Sequence, residues 1–197
     1  MKKAKRPQAR IFVVSGPSGS GKTTLVQGVR ADKELKKTLV RSVSFTTRPK
    51  RSGEKDRKDY FFLSAKDFKE KLRVKKILEW TRYLGYYYGT PLEFVQAQLK
   101  KGRSIALCLD FRGALRIKRL FPRETVTVFV KPASLKELPQ RIRKRCTHTM
   151  KEEVCQRLAL AKNEIKNSSR YDYRLINKDL KTALEALKSI IIKETQP

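Results

Sequence analysis

The chain has 197 residues, and 48 Lys and Arg against 19 Asp and Glu give it a formal net charge of +29. Hydrophobic residues at 39% and aromatic residues at 9% exclude a disordered chain and fit one globular domain. No apolar run approaches the ~20 residues that cross a bilayer, and the basic residues 1–10 lack the apolar stretch of a signal peptide. We therefore expect a cytoplasmic protein with anionic partners.

Short apolar segments alternate with amphipathic segments along the chain. Three β-branched, apolar runs are predicted to be buried strands, at residues 11–14, 105–109 and 126–130. Helices are predicted at residues 91–100, with Thr90 as N-cap and Pro91 in the first position, and at residues 113–121. A capping box from Ser134 to Glu137 opens another helix, and residues 183–192 form the last. This alternation predicts an α/β fold with a parallel sheet covered on both faces.

Two segments depart from this alternation. Residues 46–89 mix Arg, Lys, Gly and aromatic residues, with one short helix near residues 67–74, and this pattern predicts an inserted β-rich lobe. Residues 141–151 are basic and have few apolar side chains, which predicts a mobile loop between two helices.

The cysteines are odd in number and form no C-x-x-C pair: Cys108, Cys146 and Cys155. This pattern favours reduced, incidental thiols over a disulfide framework. A zinc site is the alternative, because Cys146 and Cys155 lie within ten residues of each other with His148 between them. Its fourth ligand could come only from Glu152, Glu153 or another chain.

A phosphate-binding motif follows the first predicted strand. It has the spacing G-x-x-x-x-G-K-[ST] and reads Gly16-Pro17-Ser18-Gly19-Ser20-Gly21-Lys22-Thr23, followed by Thr24. Its glycines let backbone N–H groups surround a phosphate chain, and the next helix adds its positive end. We expect Lys22 to bridge the β- and γ-phosphates and the Thr23 hydroxyl to ligate Mg²⁺. The motif alone leaves open hydrolysis, phosphoryl transfer and nucleotide-gated binding.

Further motifs favour phosphoryl transfer. They read Ser42-Val43-Ser44-Phe45-Thr46-Thr47-Arg48-Pro49-Lys50-Arg51-Ser52-Gly53-Glu54, then Asp59-Tyr60, Leu78-Glu79-Trp80 and Tyr87-Tyr88-Gly89-Thr90. At these residues the chain resembles the guanylate kinases, and the likeness extends from about residue 11 to residue 192. The resemblance implies a three-layer P-loop nucleoside monophosphate kinase core, an inserted β-rich GMP-binding lobe and a helical lid. It implies the reaction ATP + GMP = ADP + GDP, in purine nucleotide metabolism.

The resemblance also implies a division of the chain. Residues 1–10 are a basic tail and residues 11–192 the kinase-like domain. Its core comprises residues 11–45, 91–132 and 160–192, the GMP-binding lobe residues 46–90, and the lid about residues 133–159.

The residues of the lobe have a chemistry that suits GMP. Arg48 and Arg51 can present guanidinium groups to one phosphate. Glu79 can accept hydrogen bonds from N1–H and the 2-amino group of guanine, whereas adenine has no N1–H. Hydroxyl donors and the family's other guanine-contacting positions complete the predicted GMP site: Ser44, Tyr60, Tyr88, Thr90 and Asp110.

By resemblance, three lid arginines close over the ATP phosphates, and with Lys22 and Arg48 they form the predicted catalytic set: Arg141, Arg145 and Arg157. Asn177 matches the family's asparagine near the adenine site and joins residues 16–24 in the predicted ATP site.

This sequence departs from the family pattern in three places. Where D-x-D-x-Q-G is usual, it reads Cys108-Leu109-Asp110-Phe111-Arg112-Gly113, so a cysteine replaces the first carboxylate. Mg²⁺ binding would then depend more on Thr23 and the phosphates. The lid reads Arg145-Cys146 instead of R-G, and Lys178 follows Asn177 where an acidic residue is usual.

Two other functions remain possible on the sequence. A protein-binding module of the guanylate-kinase-like type would keep the fold, but such modules typically have a degraded P-loop, which is intact here. Nucleic-acid binding is suggested by the charge alone, and we expect it to be nonspecific and salt-sensitive. The sequence does not decide whether dGMP is also a substrate, or the oligomeric state, and it predicts no membrane partner.

Overall fold

The computed structural model describes residues 8–145 and 151–196. The strands in chain order are β1 (Ile11–Ser15), β2 (Leu39–Arg41), β3 (Phe45–Thr46), β4 (Phe61–Phe62), β5 (Ile77–Tyr83), β6 (Tyr86–Pro91), β7 (Ser104–Cys108), β8 (Thr125–Pro132) and β9 (Tyr173–Asn177). The helices are α1 (Lys22–Ala31), α2 (Ala65–Arg73), α3 (Leu92–Lys100), α4 (Phe111–Leu120), α5 (Leu138–Arg145), α6 (Lys151–Lys166) and α7 (Leu180–Thr195). All three predicted strands are confirmed, as β1, β7 and β8.

A five-stranded parallel sheet in the order β2-β7-β1-β8-β9 forms the core, with helices on both faces. Alternate residues of β1 point to opposite faces, so Phe12 packs with α1 and α7 while Val13 packs with α3 and α4. Because both faces are covered, all five residues of β1 are buried. This explains why the strand is apolar at four consecutive residues, from Ile11 to Val14. Over residues 8–145 and 151–196, no helix is long and apolar enough to span a bilayer.

The predicted β-rich insertion is confirmed as a second sheet, in the order β4-β3-β6-β5. β6 pairs antiparallel with both β3 and β5, and β4 pairs parallel with β3. Helix α2, predicted near residues 67–74, lies beside this sheet; its N-cap Ser64 accepts a hydrogen bond from the Asp67 N–H at 3.0 Å. Phe68 is its buried residue, and the Phe68 ring stacks on that of Tyr87.

The predicted start of α3 is wrong. β6 continues through Thr90 to Pro91, so Pro91 is the N-cap and α3 begins at Leu92. Thr90 makes no cap, because it pairs across the sheet with Glu79 and its hydroxyl donates to that carboxylate. Helix α4 begins at Phe111 rather than Gly113, because Asp110 caps it.

Residues 141–145 are helical, which corrects the loop predicted over residues 141–151. A 3₁₀ turn (Leu135–Glu137) opens the segment, and α5 follows it directly. The apolar Leu138 and Ile142 hold α5 against α6, where they pack with Val154 and Ala161. Sparse apolar residues at helical spacing were enough to fix the helix.

Residues 146–150 lie outside the described part of the chain, and with them Cys146 and His148 of the zinc hypothesis. The side chain of Arg145 lies outside it as well. Cys155 is exposed on α6. Within the described residues, no group of three His, Cys, Asp or Glu side chains could hold a metal ion.

Candidate active site

The phosphate-binding loop and the segment after β7 lie side by side because β1 and β7 are paired in parallel, with Val14 opposite Cys108. The carboxyl ends of parallel strands are where ligands bind in such sheets. Here these ends meet the second sheet at one cleft. Its lining includes most of the predicted site residues: Gly16, Ser18, Gly21, Lys22, Thr23, Ser44, Arg48, Arg51, Tyr60, Glu79, Tyr88, Asp110 and Arg157.

The loop between β1 and α1 requires glycine at two positions. Gly16 has φ +139°, and a Cβ added there would lie 2.3 Å from the Val130 carbonyl oxygen. Gly21 has φ +92°, and a Cβ there would lie 2.3 Å from Nδ2 of Asn177. No other residue type fits either position without displacing the backbone or its support. The ammonium of Lys22 lies over the loop and donates to the Gly16 and Pro17 carbonyls.

Asn177 supports the loop from behind rather than lining the cleft. It is 8% exposed, and its Nδ2 donates to the Ser20 carbonyl at 2.8 Å. This bond joins the end of β9 to the turn that precedes α1. Ser20 is itself fully buried. Four further residues of the predicted ATP-binding segment are also absent from the cleft lining: Pro17, Gly19, Ser20 and Thr24.

Two of the predicted lid arginines, Arg157 and Arg141, lie in different positions relative to the cleft. Arg157 lines the cleft, is 8% exposed and donates from Nη1 to Ser18 Oγ at 3.0 Å, while its Nε donates to Glu153. Arg141 lies on α5 next to Gly19, pairs with Glu137 at 2.8 Å and is absent from the cleft lining. Arg157 is therefore already positioned at the P-loop, whereas Arg141 is held beside it by another carboxylate.

Arg48 is fixed by a carboxylate that the sequence analysis did not assign to the site. Its Nη2 donates to both oxygens of Glu54, at 2.7 and 2.9 Å, and Glu54 also accepts from the Arg51 N–H at 2.8 Å. The guanidinium lies 5.5 Å from the centre of the Tyr60 ring. Burial opposes the charge of Arg48, but its hydrogen bond with Glu54 and nearby Tyr88 raise its pKa above the ordinary value. Glu54 lies six residues after Arg48 in the same sequence motif, and this proximity was the sequence signal that could have predicted the pair.

Glu79 is the most deeply buried carboxylate of the cleft. It is 2% exposed, and its Oε1 accepts from the Thr90 hydroxyl at 2.6 Å, while Oε2 has no partner among the described residues. Burial raises the pKa of Glu79 to about 7; the Thr90 hydrogen bond opposes this shift and Asp110 adds to it. A Cβ at Gly113 would lie 2.9 Å from Oε2, so this glycine makes room for the carboxylate. Oε2 is thus a buried acceptor that can receive a hydrogen bond from a ligand in the cleft.

Asp110 is oriented by two hydrogen bonds. Its Oδ1 accepts from the Gly113 N–H at 2.8 Å as the N-cap of α4, and its Oδ2 accepts from the Thr81 hydroxyl at 2.9 Å. Cys108, two residues earlier, also lines the cleft.

Three cleft residues with hydroxyl or carboxyl side chains were not predicted from the sequence: Thr81, Tyr83 and Glu164. Thr81 and Tyr83 follow Glu79 at intervals of two on β5, so strand alternation places all three on one face. Glu164 follows Arg157 by seven residues on α6, the spacing of one helix face. Burial raises the pKa of Glu164, with nearby Lys22 opposing that shift and Asp110 adding to it.

A glycine-rich loop after the central strand, a lysine over it and a second sheet carrying arginines and carboxylates define the class of P-loop nucleotide kinases. A family model described as guanylate kinase matches residues 8–194. The chain belongs to the guanylate kinase family and is a phosphotransferase.

Relatives named guanylate kinase cover nearly the whole chain. The protein from Caldanaerobacter subterraneus subsp. tengcongensis is 42% identical over 189 residues, 96% of this chain and 89% of that protein. The one from Gloeobacter violaceus is 42% identical over 191 residues, covering 97% and 91%. The crystal structure of guanylate kinase from Anaplasma phagocytophilum is similar with a TM-score of 0.79 and 28% identity, covering 98% of this chain and 89% of that one.

Proposed function

We propose that ATP binds on residues 16–24 and GMP against the second sheet, so that the guanylate kinase reaction takes place in the cleft between them. The reaction transfers the γ-phosphoryl group of ATP to the phosphate of GMP and gives ADP and GDP. The observation that carries this proposal is Glu79, a buried carboxylate in the same cleft as the P-loop lysine, with one oxygen that no described residue contacts by a hydrogen bond.

Guanine recognition follows from the chemistry of that carboxylate. Ionised Glu79 accepts from N1–H and the 2-amino group of guanine, and Thr90 holds its other oxygen. Adenine offers a lone pair at N1 and leaves the carboxylate unpartnered in a buried site, which is the costly arrangement. Asp110 and Thr81, which are hydrogen-bonded to each other, line the same cleft as Glu79. We assign them to the guanine site with Glu79.

The acceptor phosphate is assigned to Arg48, Arg51 and the hydroxyls of Ser44, Tyr60 and Tyr88, all of which line the cleft. Guanidinium groups bind phosphate oxygens in pairs, so this arrangement fixes the direction of attack. No general base is required, because the attacking phosphate oxygen is already largely anionic. Catalysis then depends on position and on neutralising charge.

Charge on the transferred group is neutralised from the P-loop side. Lys22 and Arg157 already line the cleft. We propose that Arg141 and Arg145 join them when the lid, residues 133–159, closes over ATP. Closure would also exclude water, which separates a kinase from an ATPase.

Mg²⁺ suits the residues present. The cleft lining carries the hydroxyl of Thr23 and the carboxylates of Asp110 and Glu164. Oxygen groups are what Mg²⁺ prefers, and it usually takes only one or two protein ligands beside phosphates and water. Thr23 is the proposed protein ligand. When bound with ATP, the ion neutralises charge on the phosphate oxygens.

An acceptor panel tests the proposal. ADP release is measured with GMP, dGMP, AMP, CMP and UMP, using the wild type, Lys22→Ala and Glu79→Gln. We expect Lys22→Ala to lose at least about 10²-fold in kcat, as when a transition-state donor is removed. The expected effect of Glu79→Gln is a fall in the preference for GMP over AMP of about 10- to 100-fold.

The exposed Lys33, just after α1, provides the matched control, and Lys33→Ala should keep full activity. Equal wild-type turnover of AMP and GMP would contradict the role of Glu79. Binding of neither ATP nor GMP would instead support a protein-binding module.

A further inference from the structure

A second cleft lies between α1 of the core and the loop that precedes β4. It is lined by Gln27, Arg30, Arg41, Val43, Arg57 and Lys58, none of which lines the catalytic cleft. Four of these six residues are cationic and none is acidic. The cations come from three separate segments: α1, the end of β2 and the loop before β4. Such convergence of like charge is unfavourable unless an anion offsets it.

Two hydrogen bonds to backbone carbonyls hold the guanidinium of Arg41, which lines this cleft. Its Nη1 donates to the Lys58 carbonyl at 3.2 Å and its Nη2 to the Asp59 carbonyl at 3.0 Å. Its Nε is buried and has no hydrogen-bond partner among the described residues. The Arg41 Nε–H is therefore a buried donor whose hydrogen-bonding capacity the described residues do not use.

The loop that carries Arg57 and Lys58 is held in an unusual conformation. Arg57 has φ +60°, the left-handed region that residues with a Cβ rarely adopt. Its N–H donates to the Tyr60 carbonyl at 2.8 Å, which closes the turn. Its side chain is 83% exposed, with only a loose pair to Asp56 at 3.7 Å.

We propose that this second cleft binds a small anion carrying two or three linked phosphates. The four cations come from three segments of the chain, and two or three linked phosphates supply enough anionic oxygens to pair with several of them at once. A nucleic-acid strand would instead be matched by an extended stripe of cations with stacking aromatics, and none of the six lining residues is aromatic.

The site has a position from which it can influence the reaction. Arg30 belongs to the helix that follows the P-loop, and Lys58 lies two residues before Tyr60, which lines the catalytic cleft. A phosphate ligand would therefore tie the core to the segment that carries Tyr60.

Inorganic tripolyphosphate is the probe, measured by isothermal titration calorimetry at constant ionic strength. Tripolyphosphate is also expected to bind at the P-loop. The measurement therefore compares the number of binding-site classes, and their affinities, between the variants. Arg30 and Lys58 are exposed, and neither side chain makes a hydrogen bond or ion pair that would be lost from the fold among the described residues. The test variant is Arg30→Gln with Lys58→Gln, and the matched control is Lys66→Gln with Lys69→Gln, two exposed lysines of α2.

We expect the test variant to lose one class of site, with affinity there reduced at least about tenfold, and the control to keep it. ADP affinity should be the same in all three proteins, which verifies folding and an intact P-loop. Identical titrations of wild type and test variant overturn the proposal, as does an equal loss in the control. A single-stranded oligo(U) that loses affinity only in the test variant, with tripolyphosphate binding unchanged, also overturns it and assigns the cleft to nucleic acid.

Discussion

Glu79 shows how one residue joins stability to specificity. A carboxylate that is 2% exposed and leaves one oxygen unpartnered is unfavourable when ionised, which is why its pKa is raised to about 7. Since the folded pKa lies above the ordinary value of 4.5, its contribution to stability falls as pH rises between those two values. A guanine that donates to the free oxygen would relieve this cost.

The proposed guanine contact requires the ionised form of Glu79, so we expect protons to compete with GMP below pH 7. We expect the KM for GMP to rise about tenfold between pH 8 and pH 6 in the wild type. Steady-state kinetics across this range provide the measurement. Glu79→Gln is the matched control, since it retains only the titration of the GMP phosphate itself. Parallel pH profiles for the two proteins would contradict the raised pKa.

Glu54 acts at the same scale, through Arg48. It accepts two hydrogen bonds from one Arg48 nitrogen and a third from the Arg51 N–H, so it orients both proposed phosphate-binding arginines. Burial opposes the charge of Glu54, but the hydrogen bonds from Arg48 and Arg51 lower its pKa below the ordinary value. The carboxylate is therefore ionised at neutral pH.

Glu54→Gln should raise the KM for GMP about tenfold while the KM for ATP stays unchanged, because a charge-assisted pair is lost on the GMP side only. The matched control is Glu70→Gln, which breaks the exposed Glu70–Arg73 pair on α2. An equal effect of Glu70→Gln, or a comparable rise in the KM for ATP, would rule out a specific positioning role.

At the scale of elements, the P-loop depends on a neighbour far away in the sequence. Gly21 closes the loop in a left-handed conformation directly against Asn177, which is buried at the end of β9. Glycine is therefore required at position 21 for two reasons: the backbone is left-handed, and there is no room for a Cβ atom. The same conformation occurs at Gly102, where a Cβ would meet nothing within 4 Å.

Comparing Gly21→Ala with Gly102→Ala separates these two effects. Gly102→Ala should lower the free energy of unfolding by about 1–2 kcal/mol from backbone strain alone, with normal ADP binding. Gly21→Ala should also displace Asn177 and weaken ADP binding at least about tenfold. Urea denaturation and calorimetric titration with ADP supply both quantities. Normal ADP affinity in Gly21→Ala would show that the contact with Asn177 is dispensable.

Element boundaries show where local patterns fail. The Thr90-Pro91 pair has the signature of a helix start, yet β6 runs through both residues because the sheet provides a partner for each, Glu79 and Ile77. Cross-strand pairing is a tertiary contact that outweighs a local cap preference. Asp110 was assigned on the sequence to the GMP site, and its role as the cap of α4 is shown by the hydrogen bond that it accepts from the Gly113 N–H.

For the whole molecule, the net charge of +29 exceeds what the catalytic cleft uses. Lys22, Arg48, Arg51 and Arg157 line that cleft, and four more cations line the second one. The other basic residues that the structure describes lie mainly on exposed surfaces, such as the outer side of α2. Exposed cations attract polyanions without selecting among them.

We therefore expect single-stranded RNA of mixed sequence to bind weakly, with affinity that falls steeply as salt rises from 50 to 200 mM. Fluorescence anisotropy with two unrelated sequences of equal length measures this. The two affinities should agree within about threefold and fall together. An affinity for one sequence that is independent of salt would point to specific recognition instead.

The residues proposed to bind the two nucleotides were predicted from residue chemistry together with the family resemblance. The P-loop, the parallel α/β core and the inserted β-rich segment were predictable from the sequence alone. These features have local signatures, in which spacing and residue type are enough. Only the tertiary structure revealed that Glu54 holds Arg48, that Asn177 supports the loop, and that Thr81, Tyr83 and Glu164 complete the cleft. It also revealed the second basic cleft. The reason is physical: each of these arrangements depends on strand register or packing between distant segments, which no local spacing encodes.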